Sequence, residues 1–421
     1  MALHNRMLIG LALGAAAGVW INVSLGSAPQ VEWVVSNITE PLGRVWLNAL
    51  FMVVIPLVIS TLALAIAGLG SAARLGRIAG LTVLSFALLT TIAAMLGVGL
   101  ASLARPGSAL DEMARERLMT AFQGQASQAM GIAQGGLSID SVINVVPRNP
   151  MQAIANGEML AILFLALMIG VALTQIGADR ARPLLAFFES VAHVTMRTIE
   201  IVMMFAPYAV ALLIFSLTAR FGFDLMRTLA GYVATVIAGL AVLLLVVYPL
   251  VLKLIARRQP VAFVRQVRLA IVTALATSSS LATLPASLKV AEAQLHIPHE
   301  VAGFVVPLGA AVNMNGTALF HGVTILFVAQ TFGIDLTVTE LLMVVVTAVV
   351  VAVGAANVPG GLIPMVMMVL GLVGVPMEGI AIVLGVDSVL DMFRTTVNVV
   401  GDLVTATVVH RFAGVPGGTI L

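Results

Sequence analysis

Apolar residues run along this chain in long blocks rather than at a short period. Residues 46–69, 79–103, 160–176 and 228–254 are almost free of charge. About 20 such residues cross the hydrocarbon of a bilayer, and a single segment satisfies all its backbone polar groups internally only as helix. Residues 1–19 lack a small-x-small cleavage site after a short apolar region, so they read as a first span rather than a signal peptide. Six conventional spans are expected up to about Leu254. The connection 105–150 is the one long polar segment. Asp111, Glu112, Arg115, Glu116 and Arg117 cluster within it, which reads as an external loop with a solvated charged surface.

Beyond Arg268 the texture changes. Apolar segments become short and are interrupted near their centres: by Thr277, Ser278, Ser279 and Ser280 with Pro285, by Asn313-Met-Asn-Gly-Thr317, and by Gly354-Ala-Ala-Asn-Val-Pro-Gly-Gly361. Glycine and proline at membrane depth free backbone groups that hydrocarbon does not tolerate unless they line a cavity or meet a ligand. Interrupted segments in corresponding positions point to the binding site of a transporter. The order here is broken hairpin, span, broken hairpin, span, over about 258–295, 299–330, 336–373 and 376–412.

Composition sharpens this picture. Hydrophobic residues make up 60% of the 421 and charged residues 10%, with mean hydropathy +1.11. Soluble domains carry about 25% charged residues, so a soluble globule is excluded and the lipid bilayer is the solvent. The balance of 21 basic and 19 acidic residues gives +2, which is no footprint for nucleic acid, and the chain has no cysteine for disulfides or thiolate metal sites. Arg6, Arg74 with Arg77, Arg180 with Arg182, and the group Lys253, Arg257, Arg258, Arg265 and Arg268 fall in alternate gaps between spans. By the positive-inside rule these gaps and the N-terminus are cytoplasmic. Arg220 and Arg227 fall in a gap expected outside and run against that rule.

The last span carries the most chemistry. Asp387, Asp391, Arg394, Asn398 and Asp402 lie within an apolar stretch at offsets 0, 4, 7, 11 and 15. At about 100° per residue they form one stripe roughly 80° wide. A charge at mid-membrane costs about 2.5–3.5 kcal/mol on insertion scales, and such groups face a polar cavity or one another. Arg394 offers a planar fork suited to a carboxylate, Asp391 one turn away suits an ammonium, and Asn398 and Thr395 suit a second carboxylate. The set describes an acidic amino acid. Asp402, two turns beyond Arg394, suits a hard cation such as sodium. The same groups would alternatively form an internal salt-bridge network, Asp391 pairing with Arg394.

The Ser-Ser-Ser tip, the Asn-Met-x-Gly-Thr break, the Val-Pro-Gly tip and the Asp…Asp-x-x-Arg-Thr-x-x-Asn-x-x-x-Asp stripe resemble the dicarboxylate/amino acid:cation symporter family, the glutamate transporters, over essentially the whole chain. The resemblance implies an all-α membrane protein with eight transmembrane helices plus two re-entrant hairpins, a homotrimer, and an elevator. In it, 1–257 is mainly scaffold, with the third span moving with the transport core 258–421. It implies that Arg394 meets the substrate side-chain carboxylate and Asp391 the α-amino group. Asn398 and Ser280 hold the α-carboxylate, and Thr317, Thr395 and the carbonyls of Ser278 and Val358 complete the pocket. Asp402, Asn398 and carbonyls at Gly309 and Asn313 form a sodium site, and a second sodium sits on backbone near Ala311 and 352–355. The chain departs from the family at Asn315, where an aspartate helps hold a further sodium, and at Phe86, Leu89 and Thr90, where oxygen-bearing side chains are expected. Ser278 and Met392 replace auxiliary arginines, and Asn357 stands at a glycine position of the second tip. His321 falls where proton-coupled members carry a glutamate, and its unperturbed pKa of about 6.5 suits a proton carrier.

The expected function is secondary active uptake of aspartate or glutamate coupled to sodium and/or protons, with no organic cofactor, across a cell (inner) membrane. A carrier of C4-dicarboxylates or of another amino acid is the near alternative, against which Asp391 and Arg394 respectively argue. An ion channel with the stripe as its pore is the reading from another class. The paired aspartates come without a Ser–His or Gly-Asp protease motif, so an intramembrane enzyme is not expected.

Overall fold

The long apolar blocks fold as helices that stack on one another with little intervening loop. The computed structural model describes residues 3–25, 28–72, 76–109, 146–156, 159–354 and 362–413, and among them there is no β-strand. In chain order the helices are α1 (Leu3–Leu25), α2 (Pro29–Val34), α3 (Glu40–Phe51), α4 (Val54–Ala72), α5 (Arg77–Ala104), α6 (Pro150–Asn156), α7 (Met159–Gln175), α8 (Ala178–Met203) and α9 (Ala206–Val242). The last of these runs on through π-helical turns to Ile255. Then follow α10 (Pro260–Thr277), α11 (Ser280–Ala293), α12 (His299–Val312), α13 (Asn315–Thr331), α14 (Val338–Gly354), α15 (Ile363–Leu372) and α16 (Leu384–Ala413).

Among the described residues five helical runs have the length and composition to cross a membrane: Pro29–Leu64, Arg77–Ser108, Leu225–Ile255, Pro260–Thr277 and His299–Thr331. A pair bent by 58°, Ala178–Met203 with Ala206–Arg220, makes a sixth. Two of the three expected breaks appear where glycine, serine and asparagine cluster. Between α10 and α11 the chain reverses at Ser278, which adopts a left-handed conformation (φ 49°), and at Ser279. Between α12 and α13 it is extended at Asn313 and Met314. The third break, with Asn357 and Val358, lies outside the described residues, as does most of the 105–150 connection.

The gap expected around Arg220 is a tight turn: one helical run ends at Arg220 and the next spanning run begins at Leu225. The helix turns sharply at Gly222, whose φ of 64° and ψ of −144° suit a residue without a Cβ. Arg220 donates to Glu32 (2.6 Å), to Glu40 (3.0 Å) and to Ser36 Oγ (3.1 Å). An arginine tied to two carboxylates contributes little free positive charge to this gap.

At the centre lies α13, with every residue from Asn315 to Ala329 buried, packed against α5, α14, α16 and α9. Lipid tails are as apolar as leucine, so helices in a bilayer associate through close packing over small residues. The α5–α13 crossing shows it. A Cβ built on Gly97 would lie 2.3 Å from the carbonyl oxygen of Leu319, and one on Gly322 would lie 2.9 Å from the amide nitrogen of Val98. Gly97→Leu is therefore expected to force the helices apart and lower the unfolding midpoint in detergent, an overpacking cost of about 1–3 kcal/mol. Gly99→Leu, two residues along with open space around it, should leave the midpoint unchanged.

Candidate functional site

Helix α16 is unbroken from Leu384 to Ala413, so the five polar positions keep their helical phase and the predicted stripe exists. Arg394 Nη1 donates to Asp387 Oδ1 at 3.1 Å and Nη2 to Asp391 Oδ1 at 2.7 Å. The guanidinium carbon stands 4.2 Å from the ring centroid of Phe320 on α13, a cation–π stack that fixes the plane of the fork. The ion pair foreseen between Asp391 and Arg394 is present, with Asp387 added to it. Arg394 is 2% exposed, and its Nε has no hydrogen-bond partner.

One turn on, Asn398 ties α16 to the break between α12 and α13. Its Oδ1 accepts from the Gly316 amide at 2.7 Å and its Nδ2 donates to Thr317 Oγ1 at 3.3 Å. The first amides of a helix have no intrahelical acceptor, and the Asn398 carbonyl caps one of them from a neighbouring helix. Gly316 is required there, because a Cβ would meet the Arg394 carbonyl oxygen at 2.7 Å.

A further turn on, Asp402 is 2% exposed and accepts from Asn313 Nδ2 at 2.9 Å. Among the described residues no cationic side chain forms an ion pair with it. Asn313 Oδ1 is buried without a partner, and Gly309 packs so close that a Cβ would sit 2.4 Å from Asp402 Oδ1. A buried carboxylate, an unpaired amide oxygen and the carbonyl end of α12 form an oxygen-rich corner short of positive charge. Hard cations choose such oxygen donors.

Asn315 sits beside this corner and bonds at both its oxygen and its nitrogen to neutral groups. Thr90 donates to its Oδ1 at 2.9 Å, and its Nδ2 donates to Tyr248 Oη at 3.0 Å, which in turn donates to the Val397 carbonyl at 3.0 Å. Phe86 and Leu89 are buried on α5 and supply no oxygen. Of the other predicted site residues, Ser280 and Thr395 are buried. Ser280 opens α11 behind Ser279, whose Oγ caps that helix by accepting from Ala282 N at 3.2 Å. The hairpin of α10 and α11 packs on α16, although no hydrogen bond joins Ser278 or Ser280 to the stripe in this structure. His321 is fully buried, and neither ring nitrogen has a partner.

Three aromatic neighbours escaped the sequence reading: Phe320 under Arg394, Tyr248 on Asn315, and Tyr232, whose hydroxyl lies 2.9 Å from Thr324 Oγ1. The signal available was scarcity. The chain has three tyrosines, and two of them are buried within helices.

Comparison with known proteins bears on this arrangement directly. The chain is 32% identical over 407 residues, 97% of its own length and 92% of the relative's, to a proton/glutamate-aspartate symporter of Escherichia coli (strain K12). It is 32% identical over 408 residues, 95% and 93% of the two lengths, to a proton/sodium-glutamate symport protein of Bacillus subtilis (strain 168). To excitatory amino acid transporter 3 of Mus musculus it is 29% identical over 458 residues, covering 98% and 86%. The model of the sodium:dicarboxylate symporter family matches residues 3–412, so the chain belongs to that family of membrane transporters.

Proposed function

We propose that this protein is a secondary active symporter that takes up aspartate or glutamate with sodium and/or protons. The observation that carries the reading is the buried Asp387–Arg394–Asp391 cluster on α16, one turn from Asn398. It offers a fork for a carboxylate and a carboxylate for an ammonium, and the relatives' names supply a matching solute. Arg394 receives the side-chain carboxylate, Asp391 the α-amino group, and Asn398 with Ser280 the α-carboxylate. Thr317, Thr395 and the backbone of Ser278 and Val358 line the remainder. Asp402 and the Asn313 oxygen, with Asn398 and the Gly309 carbonyl, hold sodium. A plain C4-dicarboxylate has no ammonium for Asp391 and is the weaker candidate.

The same reading gives eight membrane-spanning helices and two re-entrant hairpins, a homotrimer, a scaffold over 1–257 and a moving core over 258–421. It sets the protein in the cell (inner) membrane with a cytoplasmic N-terminus.

His321 is proposed as a proton carrier. It lies one turn beyond Thr317, at i+4 and so on the same face. Two unpaired ring nitrogens support this role over that of an interhelical hydrogen bonder. The charge bearing on it is Arg394, itself neutralised by Asp387 and Asp391. Tyr232 approaches the same helix from α9, while α5 over 78–104 and α14 over 341–354 have no ionisable side chain.

Proteoliposomes with sodium and proton gradients imposed separately test both statements. Saturable uptake and counterflow of labelled aspartate are expected, rising as external pH falls. His321→Gln should flatten the pH dependence and leave exchange, which moves no net proton, largely intact. A flux that does not saturate would replace the carrier by a channel, and identical pH profiles would reduce His321 to a packing residue.

A further inference from the structure

Away from the candidate site, one end of the molecule concentrates charge of a single sign. No acidic residue lies between Asp224 and Glu292, while Lys253, Arg257, Arg258, Arg265 and Arg268 crowd into residues 253–268. Two ties gather the helix ends there. Arg258 Nη2 donates to the Leu295 carbonyl at 3.0 Å, just past α11, and Arg411 Nη1 near the end of α16 donates to the Ile255 carbonyl at 2.9 Å. Those two arginines serve the last carbonyls of helices, a common use of cations. Lys253, Arg257, Arg265 and Arg268 do not. Their residues are exposed, and among the described residues their side chains have no hydrogen bond or ion pair. Arg257 even takes a left-handed conformation (φ 51°) at the reversal into α10, where glycine or asparagine is the ordinary choice.

Helix α10 adds a second, independent feature. Its buried face consists of Phe263, Val267, Ala270 and Ala274. On the opposite face Val261, Val264, Arg265, Arg268 and Val272, at offsets 0, 3, 4, 7 and 11, share a sector about 100° wide. All five are exposed, Val261 and Val272 at 65% and 64%. Valines on a lipid-facing helix suit acyl chains, and guanidinium forks suit phosphate. Helical side chains lean toward the N-terminus, so Arg265 and Arg268 lean back past the valines toward the reversal at Arg257.

We infer that this face of α10, with Lys253 and Arg257, binds the phosphate headgroup of an anionic phospholipid whose acyl chains lie along Val261, Val264 and Val272. From the proposed function it takes only that this end of α10 lies at a membrane surface. Charge selects the lipid class. A zwitterionic headgroup brings its own cation to four uncompensated ones, whereas a phosphodiester without an amine neutralises them. The acidic side chains at this end are Glu292, held 2.6 Å from His299, and Glu300 in the first turn of α12. Neither forms an ion pair with the four cations.

The experiment follows the thermal unfolding midpoint of the full chain in neutral detergent as phosphatidylglycerol is added. The midpoint should rise with phosphatidylglycerol and stay in place with phosphatidylcholine or inorganic phosphate. Arg265→Gln combined with Arg268→Gln should need about 30-fold more phosphatidylglycerol for the same rise, at about fivefold for each cation near the surface. Arg180→Gln with Arg182→Gln removes two exposed arginines from another gap and should leave the titration unchanged. A photoactivatable phosphatidylglycerol should label peptides within 253–272 of the unmutated chain, and unlabelled phosphatidylglycerol should compete. That arm decides the question even where the double variant does not insert. Equal shifts in the two double variants would reduce the effect to diffuse charge. A rise with phosphatidylcholine would leave only an apolar face, and a rise with phosphate alone would mean a site for soluble anions. Any of these, or label confined to other segments, overturns the inference. No solute or ion gradient enters these measurements, so their failure leaves the symporter assignment standing, and a failed uptake experiment leaves the lipid site standing.

Discussion

Arg394→Ala is expected to abolish uptake of acidic amino acids, by on the order of 100-fold or more as for truncation of a buried charged partner. Uptake of small neutral amino acids should persist or appear. Among the described residues no other guanidinium is paired with the α16 stripe, and Ser278 and Met392 carry no charge. The change also leaves Asp387 and Asp391 facing one another without a cation, and breaking a buried pair destabilises by about 3–5 kcal/mol. Uptake must therefore be expressed per correctly inserted molecule. Arg394→Ala combined with Asp387→Asn relieves the repulsion and should insert better without regaining acidic substrates. Undiminished aspartate uptake in the inserted protein would remove Arg394 from the binding site.

Asp402→Asn should shift the sodium response to much higher concentration, because it deletes the one carboxylate of the oxygen-rich corner while leaving its shape. Asn315→Asp should act in the opposite direction. The Asn315 amide is satisfied by Thr90 and Tyr248 as a neutral bridge. A carboxylate there would lose its donor to Tyr248 and gain a negative charge that only a cation can compensate. A stronger or additional sodium dependence of uptake is the expected result. A sodium curve that Asp402→Asn leaves in place would mean that transport runs on protons alone or that sodium binds elsewhere.

The sequence made these sites visible to different degrees, for physical reasons. The α16 stripe was legible because a helix converts spacing into direction, and Asp387, Asp391 and Arg394 do meet at i, i+4 and i+7. The breaks at Ser278 and Asn313 were legible because polar residues and nearby proline or glycine in apolar segments have few other uses. The partners of Arg220 were not legible, since Glu32 and Glu40 lie 188 and 180 residues away and local counting cannot see such partners. Tyr248 and Phe320 were missed because one aromatic residue in an apolar helix has no periodic signature. Tyr248 reaches Asn315 only because Gly401 leaves room, a Cβ there falling 2.6 Å from the Tyr248 hydroxyl.

The short extended break between Asn313 and Gly316 has a thermodynamic consequence. Asn313 grips Asp402 on the cation side, while the Gly316 amide and Thr317 hydroxyl are held by Asn398 on the solute side. Ordering of one end of this connection restricts the other, so on the proposed assignment the two ligands are expected to bind cooperatively. Linkage then requires reciprocity: whatever factor sodium contributes to aspartate affinity, aspartate must contribute to sodium affinity. With the proposed sites, this short connection, fixed from both ends by amide side chains, is the element expected to couple an ion gradient to solute accumulation.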